Sequence, residues 1–351
     1  MAHTIITGST SGFTAQSQTW QYPQRLEWQD FVQVPGNLTL LVLALQQFQA
    51  EDESTKLAYF QISGKFPLNP INKGIHGLPN VTWDEGGNKP AFGYCIHGCQ
   101  SFWGNWLMAV NTFPTWHRPY LALYEQCLTQ YFPRILKQYQ GTQAGETLAN
   151  AAISWRLPYW DWAINPSLPN EVASPTVQIL SPTGEMVQID NNPLYQYTFQ
   201  SDPEPAFLPY GSFGVWPTTL RQPSSTQADA VSQPDVVDEQ IQSDDELKTK
   251  VLDLFPTTLP QPDPWGQFSN HSWDSIPGHQ GHLTSIEEIH DRIHGYVGGP
   301  GHMGVVPFSA FDPVFWLHHC MIDRIFALWE AVYPGVYVSP GPGACISGFL
   351  D

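Results

Sequence analysis

The segment Asp312–Trp329, DPVFWLHHCMIDRIFALW, sets two adjacent histidines inside a stretch with almost no polar relief. Asp312 suits an N-cap and Pro313 the first helical position, so a helix is expected to begin there. On helical spacing Phe315, His319, Ile322, Phe326 and Trp329 form one stripe; Val314, His318, Met321, Ile325 and Leu328 form another. Both stripes are apolar, which places the helix in the middle of a protein, buried nearly all round. A single buried histidine is most often a hydrogen-bonded core residue. Two in succession, with another pair close by in sequence, point to a metal. Periodicity does not decide which of His318 and His319 would hold it. Asp323, one turn after His319, and Arg324 are candidates for supporting pairs.

The other pair is in EIHDRIH. His290 and His294 are four apart, so on a helix both imidazoles leave one face. A zinc peptidase would carry glutamate directly after the first histidine; here Asp291 is one carbon shorter, which speaks against that chemistry. In FPTWHRPYLALYEQ, His117 opens an amphipathic helix and shares its apolar face with Leu121, Tyr124 and Leu128. Upstream, His76 sits in the loop sequence GIHGLP, and Cys95 stands two residues before His97 in YCIHGC. Taken singly, these are loop residues and a buried thiol.

Length and composition set the frame. A chain of 351 residues that is 42% apolar and 13% charged has material for a large core, and residues 1–351 read as one mainly helical domain. Helices are expected over 25–60 (strongest from Leu38 to Glu53), over 115–140, and over 146–162 ending near LPYWDW. From Asn165 to Pro264 proline, serine and glutamine dominate, so a long loop region is expected, with short strands at best and a short helix at Asp244–Leu254. Helices return at SIEEIHDRIHGYVGG and at DPVFWLHHCMIDRIFALWEAVY. A net charge of −18 excludes nucleic acid and anionic membranes as partners, and no apolar run is long enough to span a bilayer. Five cysteines do not make a disulfide framework in a chain this long. The sequons at Asn37, Asn80 and Asn270 lean toward a secreted glycoprotein, although the N-terminal stretch has neither the basic nor the apolar region of a signal peptide. GGPGHMG contains Pro300 and follows no strand, so it reads as a tight loop rather than a nucleotide cradle. His3, His271, His279, His282 and His302 are assigned to solvent or to the surroundings of a site.

FPTWHRPYLALYEQ and DPVFWLHHCMID together resemble the two signatures of the type-3 copper family, which contains tyrosinases, catechol oxidases and molluscan haemocyanins. IHGLP, YCIHG, HDRIHGYVGG and GHM are similar to the short fungal polyphenol oxidases, and the resemblance runs over roughly residues 28–335. It implies a mainly α fold whose helical bundle core holds a dicopper site, with long irregular loops and few short strands. It implies two copper ions, with His76, His97 and His117 on copper A and His290, His294 and His319 on copper B. The family spacing DPxFxxxHxxxD prefers His319 over His318. Imidazole suits copper, and three ligands per ion leave room for dioxygen as co-substrate. The implied reaction is oxidation of o-diphenols to o-quinones, extending in some relatives to monophenols or o-aminophenols, so small phenols are the implied partners. The resemblance further implies a thioether between Cys95 and His97. It makes Glu287 or Glu288 the holder of a water that takes the phenol proton, and puts Asp291 and Gly295 at the pocket entrance.

The sequence also departs from that pattern. The family places the second copper A histidine about nine residues before the third, whereas twenty separate His97 from His117 and Met108 occupies the expected place. The extra residues come from GCQSFWGNWLMAVNT. A comparable insertion follows ISG in YFQISGKFPLNPINKGIHGLP, and the tail VYVSPGPGACISGFLD departs as well, with no sign of the C-terminal lid domain of long tyrosinases. Two readings stand open. Retained introns or a misdrawn gene would give a copper-A-defective, inactive homologue. A real loop variant would bulge out at small entropic cost with its ends in place. A haemocyanin-like dioxygen binder is a third alternative, but such carriers shield the site with an added domain of which this sequence gives no sign.

Overall fold

A computed structural model describes residues 5–9, 23–64, 99–100, 107–108, 113–201, 207–259, 263–269, 271 and 284–338. His76, Cys95, His97 and the sequons at Asn80 and Asn270 lie outside the described residues. The fold is mainly α, as expected, but its breaks fall where backbone chemistry puts them.

The helix expected over 25–60 is three: α1 (Trp28–Gln33), α2 (Asn37–Gln49) and α3 (Tyr59–Ser63). Gly36 separates the first two with φ at +92°, a conformation glycine adopts without a Cβ penalty. α2 buries Leu40, Leu41, Val42, Ala44, Leu45 and Phe48. Its first residue, Asn37, is only 4% exposed, so this sequon offers no accessible amide in the folded chain. The stretch between His97 and His117 contains two short strands, β1 (Cys99–Gln100) and β2 (Leu107–Met108). They pair antiparallel, with Cys99 opposite Met108.

The helix expected over 115–140 is α4 (Phe113–Thr129) followed by α5 (Phe132–Gln138). Pro133, in the first turn of α5, cannot donate to a preceding carbonyl, which stops α4 and starts α5. α6 (Gln143–Ser154) is capped by Thr142, whose hydroxyl accepts from Gly145 N–H at 2.9 Å. It ends eight residues before the expected Trp162. Residues 157–161 are instead non-helical and bridge two elements: Trp28 N–H donates to Tyr159 O at 2.8 Å, and Trp160 N–H donates to Leu317 O at 3.3 Å.

Residues 165–264 hold more structure than their composition suggests. α7 (Asn170–Ala173) leads into a hairpin of β3 (Val177–Leu180) and β4 (Met186–Ile189), and a 3₁₀ stretch follows at Leu208–Gly214. α8 (Pro234–Gln242) lies where only loop is expected; α9 (Leu247–Asp253) falls within the expected short helix. The chain continues through α10 (Pro264–Ser269), α11 (Ile286–Gly298), a 3₁₀ turn at His302–Gly304, α12 (Val306–Ser309) and α13 (Val314–Val332).

α4, α11 and α13 pack on one another, and α2 packs against α4. α13 is buried on every side from Val314 to Ile322, then emerges, leaving Leu328 43% and Val332 55% exposed. It begins one residue later than expected, with Pro313 at the cap position, yet Asp312 still accepts from Val314 N–H at 3.0 Å. No described helix is long and apolar enough to cross a membrane.

Candidate metal centre

The three packed helices each bring histidines to one place. α11 starts at Ser285, whose hydroxyl accepts from Glu288 N–H at 3.1 Å, with Glu287 and Glu288 in its positive first turn. That start fixes the phase, and His290 and His294 point inward together, 0% and 8% exposed. α13 supplies His318 and His319, both fully buried. α4 supplies His117, 1% exposed, from the face it shares with buried Leu121, Tyr124 and Leu128.

His290, His294, His318 and His319 form a group whose candidate ligand atoms all lie within 4.8 Å of one another. Within it, His319 Nε2 lies 3.2 Å from His290 Nε2 and 3.1 Å from His294 Nε2. The outer nitrogens decide the tautomers. His294 Nδ1–H donates to the Met303 carbonyl at 2.6 Å, and His290 Nδ1–H to the Asp291 carboxylate at 2.9 Å. His117 Nδ1–H likewise donates to the Phe113 carbonyl at 2.8 Å. Each of these rings, when neutral, therefore keeps a lone pair on Nε2. Burial, followed by the facing His117, His290, His318 and His294 rings, holds the His319 imidazole well below its ordinary pKa.

The His290 and His294 Nε2 lone pairs both turn to His319 Nε2, at 3.2 and 3.1 Å, and His319 Nδ1 is buried with no hydrogen-bond partner among the described residues. Three nitrogens at about 2 Å from one ion would stand just over 3 Å apart. The donor set thus fits a borderline metal that favours imidazole. His117 is not in that trio, but its ring stacks on His319 with centroids 4.4 Å apart.

His318 is differently held. Its Nδ1 accepts from Trp162 Nε1–H at 3.1 Å, and its ring stacks on His290 at 5.1 Å. This geometry separates the adjacent histidines, which helical periodicity leaves open. Phe315, stacked on His319 at 3.9 Å, and Phe113, edge-on to His290 at 4.7 Å, wall the site with apolar rings.

The acidic and entrance residues also find places. Glu287 is fully buried and shares the inward face of α11, while Glu288 turns to Thr284, Lys250 and Arg292. His271 N–H donates to Glu287 Oε2 at 3.1 Å, and His271 Nδ1 lies 3.0 Å from Asp291 Oδ2. The His271 pKa is raised to about 9, chiefly by the Asp291 hydrogen bond, with Glu287 adding to it. Gly295 is exposed, and a Cβ built there would meet nothing within 4 Å.

Sequence reasoning gives no role to His271 or His302. His271 connects Glu287 to Asp291. His302 is fully buried rather than solvated, packed among Phe199, Phe213, Trp216 and Phe308. Arg221 also escapes it, although this is the only lysine or arginine between Arg156 and Lys248. A lone base in so long an acidic stretch is a readable signal of a buried partner.

Comparison with known proteins agrees with this geometry. A sequence profile of the common central domain of tyrosinase matches residues 72–332. Polyphenol oxidase 2 of Agaricus bisporus is 34% identical over 326 residues, covering 90% of this chain and 52% of its own length. A structure of recombinant mushroom tyrosinase superposes with a TM-score of 0.73 at 33% identity, covering 93% of this chain and 54% of that one. The copper-bound active tyrosinase of Aspergillus oryzae, a point mutant complexed with L-tyrosine, gives 0.72 at 26% identity, covering 95% and 86%. The chain spans about half the length of the curated relatives it matches. With three helices converging their histidines as the motifs imply, and a tyrosinase profile matching across them, the chain belongs to the tyrosinase family.

Proposed function

We propose that this chain is a dicopper phenol oxidase that uses dioxygen to convert o-diphenols to o-quinones. The observation that carries the reading is the meeting of the His290, His294 and His319 Nε2 atoms, with His117 stacked against His319. One copper would take His290, His294 and His319. The other would take His117 with His76 and His97, which lie outside the described residues, as does Cys95, the implied thioether partner of His97. The solved relative that carries copper and L-tyrosine supports both the metal and the substrate class.

When bound, the copper pair supplies the electron transfer to dioxygen that amino-acid side chains lack. The protein does the rest. Asp291 and the Met303 and Phe113 carbonyls hold three imidazoles with Nε2 facing inward. Phe113 and Phe315 keep water from the ligands. Glu287, held by His271 N–H, accepts the phenol proton through a water. Each o-diphenol gives up two electrons and its two hydroxyl protons. Gly295, with open space above it, leaves the approach clear on the side where Asp291 is half exposed.

The test is oxygen uptake by the copper-loaded full chain given 4-tert-butylcatechol, with quinone absorbance followed in parallel. Uptake matched by quinone supports the reading. Reversible dioxygen binding without quinone would make it a carrier, and absence of both would make it an inactive homologue. L-Tyrosine in the same assay separates monophenol from diphenol specificity. Secretion, which the remaining sequons suggest, is tested by intact-mass and glycan analysis of protein from the native source.

A further inference from the structure

Three consecutive residues in the loop region each grip a different part of the metal-bearing scaffold. Leu220 holds the loop after α11: its N–H donates to His302 Nδ1 at 3.0 Å, and its carbonyl accepts from His302 N–H at 3.0 Å. Arg221, fully buried, holds the start of α13 through Asp312, with Nε 2.9 Å from Oδ2 and Nη2 2.7 Å from Oδ1. Gln222 holds the end of α11: its amide donates to Tyr296 O at 2.8 Å, and its N–H to Gly298 O at 3.2 Å. Gln222 is also the only non-glycine residue at positive φ (+43°) among the described residues. Backbone strain of that kind persists where surrounding contacts over-determine it.

The middle of this arrangement leads to a candidate ligand. His302 is followed by Met303, whose carbonyl accepts from His294 Nδ1–H. The loop has no slack: a Cβ on Gly298 would lie 1.7 Å from Gly304 N, and one on Gly301 would lie 2.3 Å from the Leu220 carbonyl. A shift at His302 is therefore passed on to the Met303 carbonyl. His302 Nε2 is buried with no hydrogen-bond partner among the described residues. A phenylalanine would fill this aromatic cage without that cost, so the useful atom of His302 is Nδ1, the acceptor for Leu220.

We propose that Leu220–Arg221–Gln222 is a three-point clamp on the metal half built by α11 and α13, and that His302 is a positioning residue fixing the tautomer and placement of His294. The proposal rests on His294 being a copper ligand, but its test need not use copper. Two variants separate its terms. His302→Phe keeps the ring volume and removes the acceptor; His302→Asn keeps an acceptor in the Nδ1 position and leaves a void.

In metal-free full chain labelled at histidine nitrogen, the imidazole shifts of His294 should report the Nδ1–H tautomer in wild type and in His302→Asn, and mixed tautomers in His302→Phe. In copper-loaded protein, His302→Phe should lose one of its coppers to a chelator about 10- to 100-fold faster than wild type, with His302→Asn close to wild type. A His302→Phe protein with a pure Nδ1–H His294 overturns the proposal. So does a His302→Asn protein as impaired as His302→Phe. Should His302→Phe not fold, Gln222→Gly carries the test, since it tolerates the positive φ and removes only the side-chain grip. Mixed His294 tautomers are then expected, and a wild-type spectrum overturns the clamp. Wild-type protein that binds no copper refutes the oxidase reading and leaves the tautomer result standing.

Discussion

Glu287 and Glu288 are neighbours with opposite surroundings. Burial pushes the Glu288 carboxyl up, but Thr284, Lys250 and Arg292 outweigh it and hold the pKa below its usual range. Glu287 has no exposure and faces inward. Glu287→Gln should therefore lower kcat on catechols by about 10²- to 10⁴-fold with copper retained, while Glu288→Gln should change it less than about tenfold. Steady-state kinetics beside metal analysis checks both. His302 predicts a pH effect of definite sign. Burial pushes its imidazole down to about 3, so the folded protein keeps it neutral while the unfolded chain takes up a proton near pH 6.5. Its contribution is intact above about pH 6.5 and is lost as the pH falls toward about 3. Urea unfolding at pH 7, 5 and 4 should show a flatter acid decline in His302→Asn than in wild type. Much of this is legible in the sequence at single residues: the His290/His294 spacing and the apolar face of His117 place three of the four histidines that meet. Periodicity leaves the choice between His318 and His319 open, because adjacent residues of a fully buried helix share its surroundings; only the family spacing prefers His319. The contact that separates them comes from Trp162, 156 residues away.

Among elements, Arg221 and Asp312 form a fully buried ion pair. The guanidinium also donates to Val172 O at 2.8 Å and Leu194 O at 2.9 Å, so it joins the loop region to the start of α13. Arg221→Met alone strands a buried carboxylate and should destabilise the chain by about 3–5 kcal/mol; adding Asp312→Leu should recover most of that loss. Urea midpoints of the two proteins test it. The Arg118 pairs with Asp323 (2.6 Å) and Glu330 (2.8 Å) tie α4 to α13 but are partly exposed. Each should contribute only about 0.2–1 kcal/mol. Elements are readable where the apolar pattern is long, as in α2, α4, α11 and α13. Their ends are not, because Gly36 and Pro133 act locally and the non-helical run 157–161 answers to α1 and α13. α8 escapes a sequence reading because it buries only Val237 and Ile241, too few to mark a period.

For the whole molecule the question is whether the stretch between His97 and His117 dismantles a metal site. Within that stretch the described residues show Cys99 paired with Met108 and Gln100 with Leu107. Removal of residues 99–108 should leave copper content unchanged and shift Tm by only a few degrees, since surface loops change length at about 0.6 kcal/mol per doubling. On the proposed function the insertion's closure matters more than its chemistry, and His76 and His97 would still join His117 at the second copper. Copper per chain in purified, copper-reconstituted protein, by metal analysis against amino-acid quantitation, bears on this without an intermediate step. Two coppers per chain are expected, falling to one in His294→Ala. One copper or none in the wild-type chain would mean that the inserted residues break the first site, against the reading given above.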